Sequence, residues 1–118
     1  MKSDLTRRCY DFSLKLITFI NGLSNTRVSR VLTDQLLRSG TSIGANVVEA
    51  KSASSRRDFT RYYEIALKSA NETKYWLGLV KDGLKVNGEE IEFLTAETSE
   101  LSKMIASSIL TLKDKRKF

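Results

Sequence analysis

The sequence predicts an all-α protein, an antiparallel up-and-down four-helix bundle, with one domain over residues 1–118. Three observations support this fold class. The chain contains no proline, and proline is the residue that most often interrupts helices and marks loops. Apolar residues recur every three or four positions in four separate stretches, which is the spacing of a buried helical face. The segments between these stretches are short, and short connections favour antiparallel neighbours.

The first two helices are expected over about residues 4–23 and 27–51. Helix one has apolar positions in steps of four and three: Leu5, Cys9, Phe12, Leu16, Phe19 and Leu23. An Asn-Gly pair then marks its end. Helix two can begin after Asn25 or Thr26, because both residue types are good N-caps. Its apolar face keeps one phase throughout: Leu32, Leu36, Ser39, Ile43, Val47 and Ala50.

The stretch RSGTSIGANVVEA, residues 38–50, places two glycines inside helix two. A phosphate-binding loop would end in Gly-Lys-Ser or Gly-Lys-Thr, or follow G-x-G-x-x-G, and neither pattern is present. An interior glycine costs about 1 kcal/mol relative to alanine, so Gly40 and Gly44, one turn apart, need a compensating contact. We expect them to allow close packing of another backbone. A kink that contacts a ligand is the alternative.

The third and fourth helices are expected over about residues 56–85 and 88–113. An S-x-x-D start signal, Ser55 with Asp58, precedes the third. Its apolar face is Phe59, Tyr62, Ala66, Ser69, Thr73, Trp76, Val80 and Leu84. An N-x-x-E signal precedes the fourth, whose apolar face is Ile91, Leu94, Thr98, Leu101, Ile105, Ser108 and Leu112. The basic tail, residues 113–118, is expected to fray.

Polar rows flank the apolar faces of helices two and three. A solvated surface and an internal hydrogen-bond network are both open interpretations. The expected network contains Gln35, Arg38, Ser42, Asn46, Glu49, Lys68 and Glu72. Its cation is Arg38 or Lys68, and its carboxylate is Glu72 or Glu49. If this pair is buried, removing one partner should cost about 3 kcal/mol or more.

The composition excludes most catalytic chemistry. The chain has no histidine, which is the usual acid–base near neutral pH, the commonest metal ligand and the partner of Ser or Cys nucleophiles. The Glu-x-x-His motif of di-iron bundles is therefore missing. Cys9 lies on the apolar face of helix one and fits a core residue. We expect no enzyme, catalytic residue, metal, cofactor or small-molecule substrate. A carboxylate pair of Glu49 and Glu72 in a pocket is the enzymatic alternative.

The compartment is indicated by the single cysteine and by the apolar pattern. Cys9 cannot form a disulfide within the chain, which suits the reducing cytoplasm. No apolar run resembles a signal peptide or a membrane-spanning helix. We therefore expect a cytoplasmic protein without a membrane partner.

The net charge is +6 and is unevenly distributed. Residues 1–87 carry +7, residues 88–112 carry −4 and residues 113–118 carry +3. Basic surfaces attract the phosphates of nucleic acids. The candidate contacts for RNA or DNA are Arg7, Arg8, Arg27, Arg30, Arg56, Arg57, Arg61, Lys113, Lys115, Arg116 and Lys117. Ordinary solvated surface is the alternative interpretation of these residues, because no base-reading motif accompanies them.

The stretch LLRSGTSIGANVVEA, followed by SRRDFTRYYEIALKSANETKYWLGLV, resembles the four helix bundle protein family associated with 23S rRNA intervening sequences, also labelled a ribosomal protein. The matching positions are Arg38, Ser39, Ser42, Ile43, Asn46, Glu49, Ala50, Asp58, Phe59, Ile65, Ala66, Glu72, Thr73, Tyr75 and Trp76. The resemblance implies a homopentameric helical bundle without established catalytic activity. It also implies a distant likeness to the accessory variability determinant of diversity-generating retroelements, a basic pentamer that binds nucleic acid and a reverse transcriptase.

Self-association is also expected from the apolar surface, which exceeds what one bundle of this size can bury. The surplus residues are Ile17, Ile20, Val28, Val31, Tyr63, Met104 and Ile109. The uneven charge favours a head-to-tail contact, in which the acidic helix four of one subunit meets a basic face of the next. The ring size of five rests on the family resemblance alone.

Two functions remain open at this point. The first is an oligomeric module that binds RNA or DNA through its basic surface. The second is a structural or protein-interaction bundle whose partner is another protein, and the acidic fourth helix supports it.

Overall fold

The computed structural model describes the backbone of residues 4–116 and the side chains of residues 5–114. It consists of helices α1 (Asp4–Asn21), α2 (Arg27–Lys51), α3 (Arg56–Gly83) and α4 (Glu89–Arg116). No β-strand occurs between residues 4 and 116. The all-α class is therefore confirmed.

The helices are arranged at the four corners of a square. The pairs in contact are α1 with α2, α2 with α3, α3 with α4, and α4 with α1. Across residues 4–116, no Cα atoms of the diagonal helix pairs lie within 8 Å of each other. The bundle is about 52 Å long and 23 × 22 Å across. This is the up-and-down arrangement that short connections between helices favour.

Two helix starts are fixed by side-chain caps. Thr26 caps α2, and its hydroxyl accepts a hydrogen bond from the Ser29 backbone N–H at 3.1 Å. Ser55 caps α3 and accepts from the Asp58 N–H, also at 3.1 Å. Each cap satisfies one of the backbone donors that the first helical turn leaves unpaired. Of the two candidate caps of α2, the structure uses Thr26.

Three helix ends differ from the expected ranges. α1 ends at Asn21 and α3 at Gly83, two residues early in each case. Lys85 and Gly88 then take positive φ values of 59° and 123° in the α3–α4 turn. α4 continues through Arg116, so the part of the basic tail that the structure describes is helical. Lys113 supports this last turn through an ion pair with Glu64 of α3, at 3.3 Å.

The core follows the expected apolar faces of α1, α2 and α4. The buried face of α3 is offset from the expected one, because only Ala66, Thr73 and Val80 of its eight expected positions are buried. The positions that sequence reasoning missed are Thr60, Tyr63, Ala70 and Leu77. Tyr63 and Ile109 were expected among the surplus surface residues, and that expectation is wrong. Both are buried, at 6% exposure, because α3 and α4 each pack against two neighbours and so bury a wider face than one apolar row. Tyr63 stacks on Phe59 with ring centroids 4.7 Å apart. Ile17, Val28 and Val31 are exposed.

Gly40 and Gly44 lie on the flank of α2 that faces α1. A Cβ at Gly40 would overlap the Cδ2 of the buried Leu16. A Cβ at Gly44 would lie 3.0 Å from Cys9 Cβ and 3.7 Å from the Cys9 backbone. The missing side chains therefore let the two helices approach closely. This close packing compensates for the helix stability that each glycine costs relative to alanine.

Replacing Gly44 with leucine should lower the free energy of unfolding by about 1–3 kcal/mol, because the side chain would be forced against Cys9 and α1. Gly78 of α3 provides the matched control, since a Cβ built there would meet no described atom within 4 Å apart from its chain neighbours and the nearby backbone of its own helix. Gly78→Leu should be neutral or stabilising, because leucine is the better helix former. Urea melts of both variants make the comparison. Equal stability of Gly44→Leu and the parent would contradict close packing at this site.

Candidate nucleic-acid interface

The antiparallel arrangement gathers basic residues at one end of the bundle. The starts of α1 and α3 lie at this end, together with the ends of α2 and α4. We call this half of the bundle the basic end, and it consists of residues 5–12, 39–69 and 103–114. Its described side chains include nine Lys or Arg and five Asp or Glu. The opposite half has seven basic and eight acidic side chains. The positive charge of the protein is thus concentrated at one end, although the charged residues are dispersed in the sequence.

The candidate phosphate contacts divide between the two ends. Arg7, Arg8, Arg56, Arg57, Arg61 and Lys113 belong to the basic end. Arg27 and Arg30 lie at the opposite end, where Arg30 donates to the Asn25 carbonyl at 3.2 Å. The side chains of Lys115 and Arg116, and the whole of Lys117, lie outside the described residues. The structure therefore brings together only part of the expected set.

Several of these cations already have partners within the chain. Arg8 holds Glu97 of α4 through two hydrogen bonds, of 2.9 Å and 2.6 Å, and Glu97 is mostly buried. Arg8 is therefore a structural link between α1 and α4. Arg7 pairs with Asp11 at 3.4 Å on the exposed face of α1.

Three arginines at the start of α3 are the strongest candidates. Arg56, Arg57 and Arg61 are exposed, and none of their side chains forms a hydrogen bond or ion pair with another described residue. Lys51, at the end of α2, is exposed at the same end of the bundle. Sequence reasoning missed Lys51 as a phosphate contact, although the expected antiparallel order of the helices places it there.

The polar network between α2 and α3 is smaller than expected. Arg38 pairs with Glu72 through Nη2 and Oε2, and it donates to Gln35 Oε1 at 2.9 Å and 3.3 Å. Trp76 Nε1 donates to the same Glu72 oxygen at 2.8 Å. Trp76 was not expected in this network. The pKa of Glu72 is lowered, and the hydrogen bond from Trp76 is the largest cause. The hydrogen bond and the charge of Arg38 also lower this pKa, whereas the partial burial of the carboxylate raises it.

The other expected members do not join this network. Ser42 donates to the Arg38 carbonyl at 2.7 Å and Asn46 to the Ser42 carbonyl at 2.8 Å, so both bond within α2. Glu49 and Lys68 are exposed, and neither is linked to the network in the described part of the chain. Short side chains at 42 and 46 favour bonds to their own helix over a span to α3.

The exposure of the Arg38–Glu72 pair corrects the expected energy. The two side chains are 54% and 37% exposed. Removing one partner of this pair is therefore expected to lower the stability by roughly 0–1 kcal/mol, as for other exposed ion pairs. The loss of about 3 kcal/mol that was expected applies to a buried pair. The buried link between α2 and α3 is instead the hydrogen bond from the Thr73 hydroxyl to Ser39 Oγ, at 3.0 Å.

Two open grooves flank α1. The groove toward α2 has a volume of about 670 Å³ and is bordered by Tyr10 and Val48 over a floor that includes Ser13 and Gly44. The groove toward α4 has a volume of about 420 Å³ and includes Leu14 and Phe93. Lys15 Nζ lies 4.3 Å from the Phe93 ring centroid, which is a cation–π contact.

The enzymatic alternative has little geometric support. Glu49 lines the α1–α2 groove, whereas Glu72 lies in the network between α2 and α3, so the two carboxylates do not share a pocket. Burial raises the pKa of the Cys9 thiol to about 12, which leaves it protonated and unreactive near neutral pH. Among the side chains that the structure describes, no three Cys, Asp or Glu residues are placed to hold a metal ion.

Fold and surface together define a small basic four-helix-bundle protein. The chain belongs to the 23S rRNA-intervening sequence protein family, whose sequence model matches residues 1–107. It is 38% identical to a solved protein of unknown function from the S23 ribosomal protein family of Bacteroides thetaiotaomicron. That similarity covers 89% of this chain and 97% of the other, with a TM-score of 0.82. Neither description is that of an enzyme family. No curated protein matches the chain.

The apolarity of the helices also bears on membrane association. None of the four helices, over the residues described, is both long enough and apolar enough to cross a bilayer.

The pKa of Glu72 provides a test of the network. In the folded protein the pKa of Glu72 lies below its ordinary value of 4.5. Ionised Glu72 therefore stabilises the fold above pH 4.5, and this stabilisation is lost as the pH falls through the folded-state pKa. Trp76→Phe removes the indole donor and should raise the Glu72 pKa toward the ordinary value. Tyr75→Phe, the control, keeps the donor and should leave it unchanged. NMR titration of the carboxyl carbon measures both, and an unshifted pKa in Trp76→Phe would contradict the assignment.

Proposed function

We propose that this chain is a non-enzymatic module that binds RNA or DNA through its basic end and works as a homo-oligomer. The observation that supports nucleic-acid binding is the group of exposed cationic side chains without described partners: Lys51, Arg56, Arg57 and Arg61. Surface arginines that are not neutralised within the chain are available to phosphates, and Arg can contact a phosphate through two N–H groups.

This form of binding is expected to depend little on base sequence. Phosphate contacts position a protein on nucleic acid but do not identify bases. The basic end is formed from helix termini and contains no motif that reads base edges. Binding should therefore weaken as salt rises, because each neutralised phosphate releases counterions.

The salt dependence of binding tests the proposal. The triple variant Lys51→Gln, Arg56→Gln, Arg57→Gln should bind RNA or DNA more weakly, and its slope of log K against log salt should be shallower by roughly 0.7–0.9 for each phosphate that is no longer neutralised. The control is Arg27→Gln with Arg30→Gln at the opposite end, which should leave affinity and slope close to those of the parent. Anisotropy titrations over several salt concentrations provide both quantities. A parent protein that does not bind nucleic acid even at low salt would refute the proposal.

Self-association is supported by apolar side chains exposed around α1. We call Tyr10, Leu14, Ile17, Val48 and Phe93 the apolar strip. It borders both grooves and consists of large side chains that one bundle leaves in contact with water. A second copy of this chain would remove them from water, and the family resemblance implies a ring of five. The head-to-tail charge argument is weaker than the sequence indicated, because Glu92 and Glu97 of α4 pair with Lys81 and Arg8 of the same chain.

A charge in the apolar strip should weaken assembly. Tyr10→Glu should lower the mass measured by light scattering coupled to size exclusion, because burying the new carboxylate is costly. Leu110→Glu is a control of similar exposure, 65% against 62% for Tyr10, and it lies on α4 outside the strip. It should leave the mass unchanged. A monomeric parent at micromolar concentration would refute self-association, and a stable dimer or tetramer would refute the pentamer.

A protein-interaction bundle is the second candidate function. The observation that favours it is the same apolar strip, which a different protein could cover. A pull-down from the native cell with nuclease treatment separates the two functions. Partners that survive nuclease support the protein-interaction bundle, and loss of all partners supports nucleic-acid binding.

A further inference from the structure

We propose that the outward face of α3 binds single-stranded nucleic acid, with Tyr75 as a surface on which a base stacks. The residues are Arg57, Arg61, Lys68 and Tyr75, which we call the α3 row. The inference deepens the proposed function and rests on it, because it assigns a surface and a strand type to the binding. A phosphate backbone would follow the three cations, and a base would lie against the tyrosine ring.

The α3 row is nearly straight. At about 100° of rotation per residue, its four positions lie within about 40° of one another around the helix axis. At about 1.5 Å per residue, the row extends roughly 27 Å along that axis. All four side chains are exposed. A surface of this length suits a single strand, because the smallest binding sites for single strands cover roughly four nucleotides.

Two acidic residues near the row are neutralised by neighbouring helices. Glu64 pairs with Lys113 of α4, and Glu72 pairs with Arg38 of α2. The pairing cations are themselves about half exposed, so they add to the positive surface at the edges of α3. The Lys68 side chain forms no ion pair or hydrogen bond within the described residues. The face of α3 is therefore more positive than its own sequence indicates.

Tyr75 is exposed but held in position. Its side chain is 60% exposed, and its ring makes an edge contact with Trp76 at a centroid distance of 5.1 Å and an interplanar angle of 71°. The Trp76 indole is in turn fixed by its hydrogen bond to Glu72. A ring that is already ordered loses little conformational freedom when a base stacks on it. In a duplex the bases are stacked on one another, so only a single strand can use this surface.

The other strongly exposed tyrosine offers a matched comparison. Tyr10 is 62% exposed on α1, but the nearest cation on its own helix face, Arg7, is already paired with Asp11. Exposure of a tyrosine is therefore not sufficient by itself. The inference depends on the combination, around Tyr75, of an ordered ring and a row of unpaired cations.

The experiment compares three probes of equal length: an oligoadenylate, an abasic single strand and a duplex. Tyr75→Ala should weaken oligoadenylate binding on the order of 10-fold and leave the abasic strand and the duplex unchanged. Tyr75→Phe keeps the ring and should restore binding. Arg61→Gln with Lys68→Gln should weaken all three probes and reduce the salt slope. Trp76, the single tryptophan, should change its fluorescence with oligoadenylate and not with the abasic strand.

The outcomes separate the inference from the function on which it rests. If the parent binds nucleic acid but Tyr75→Ala binds oligoadenylate as tightly as the parent, the α3 row is wrong and the basic end stands. If Tyr75→Ala weakens the abasic strand equally, base stacking is wrong. If the parent binds none of the probes, both the inference and the proposed function are overturned. Circular dichroism of each variant ensures that the fold is retained, which is expected because the side chains are exposed.

Discussion

The arrangement of this bundle depends on small residues on two flanks of α2. On the flank toward α1, Gly40 and Gly44 leave no Cβ, so Leu16 and Cys9 approach the α2 backbone. On the flank toward α3, the short side chain of Ser39 meets Thr73 in a buried hydrogen bond. Larger residues at these positions would move α1 or α3 outward. Because a core is closely packed, such a shift would spread through both interfaces.

The packing of α2 against its neighbours fixes the register of the bundle, and the register determines where the charges lie. With α3 antiparallel to α2, the capped start of α3 lies at the same end of the bundle as the end of α2, so Arg56 and Arg57 share that end with Lys51. The acidic start of α4 is placed at the opposite end. A charge distribution of this kind is a consequence of topology. The same sequence with one helix reversed would mix the two ends and lose the basic surface.

Sequence reasoning predicted the four helices and the apolar faces of α1, α2 and α4, because their periodicity is local. It misplaced Tyr63 and Ile109, because the width of a buried face depends on how many neighbours a helix has. It could not find the partner of Arg8, since Glu97 is 89 residues away in the chain. The candidate phosphate contacts were chosen by charge alone, and only the antiparallel order separates Arg27 and Arg30 from the arginines of α3. Trp76 was missed as a hydrogen-bond donor because it was assigned wholly to the core face.

The contacts of Glu72 connect the packing of the bundle with its surface. A carboxylate on the outward side of α3 would repel phosphate if it were unpaired. Its pairing with Arg38 cancels that charge, and its bond with Trp76 orders the indole against which Tyr75 rests. One side chain thereby serves the contact between α2 and α3 and shapes the outward face of α3. Because the pair is half exposed, it contributes little to stability, so its main effect is on the charge and order of the surface.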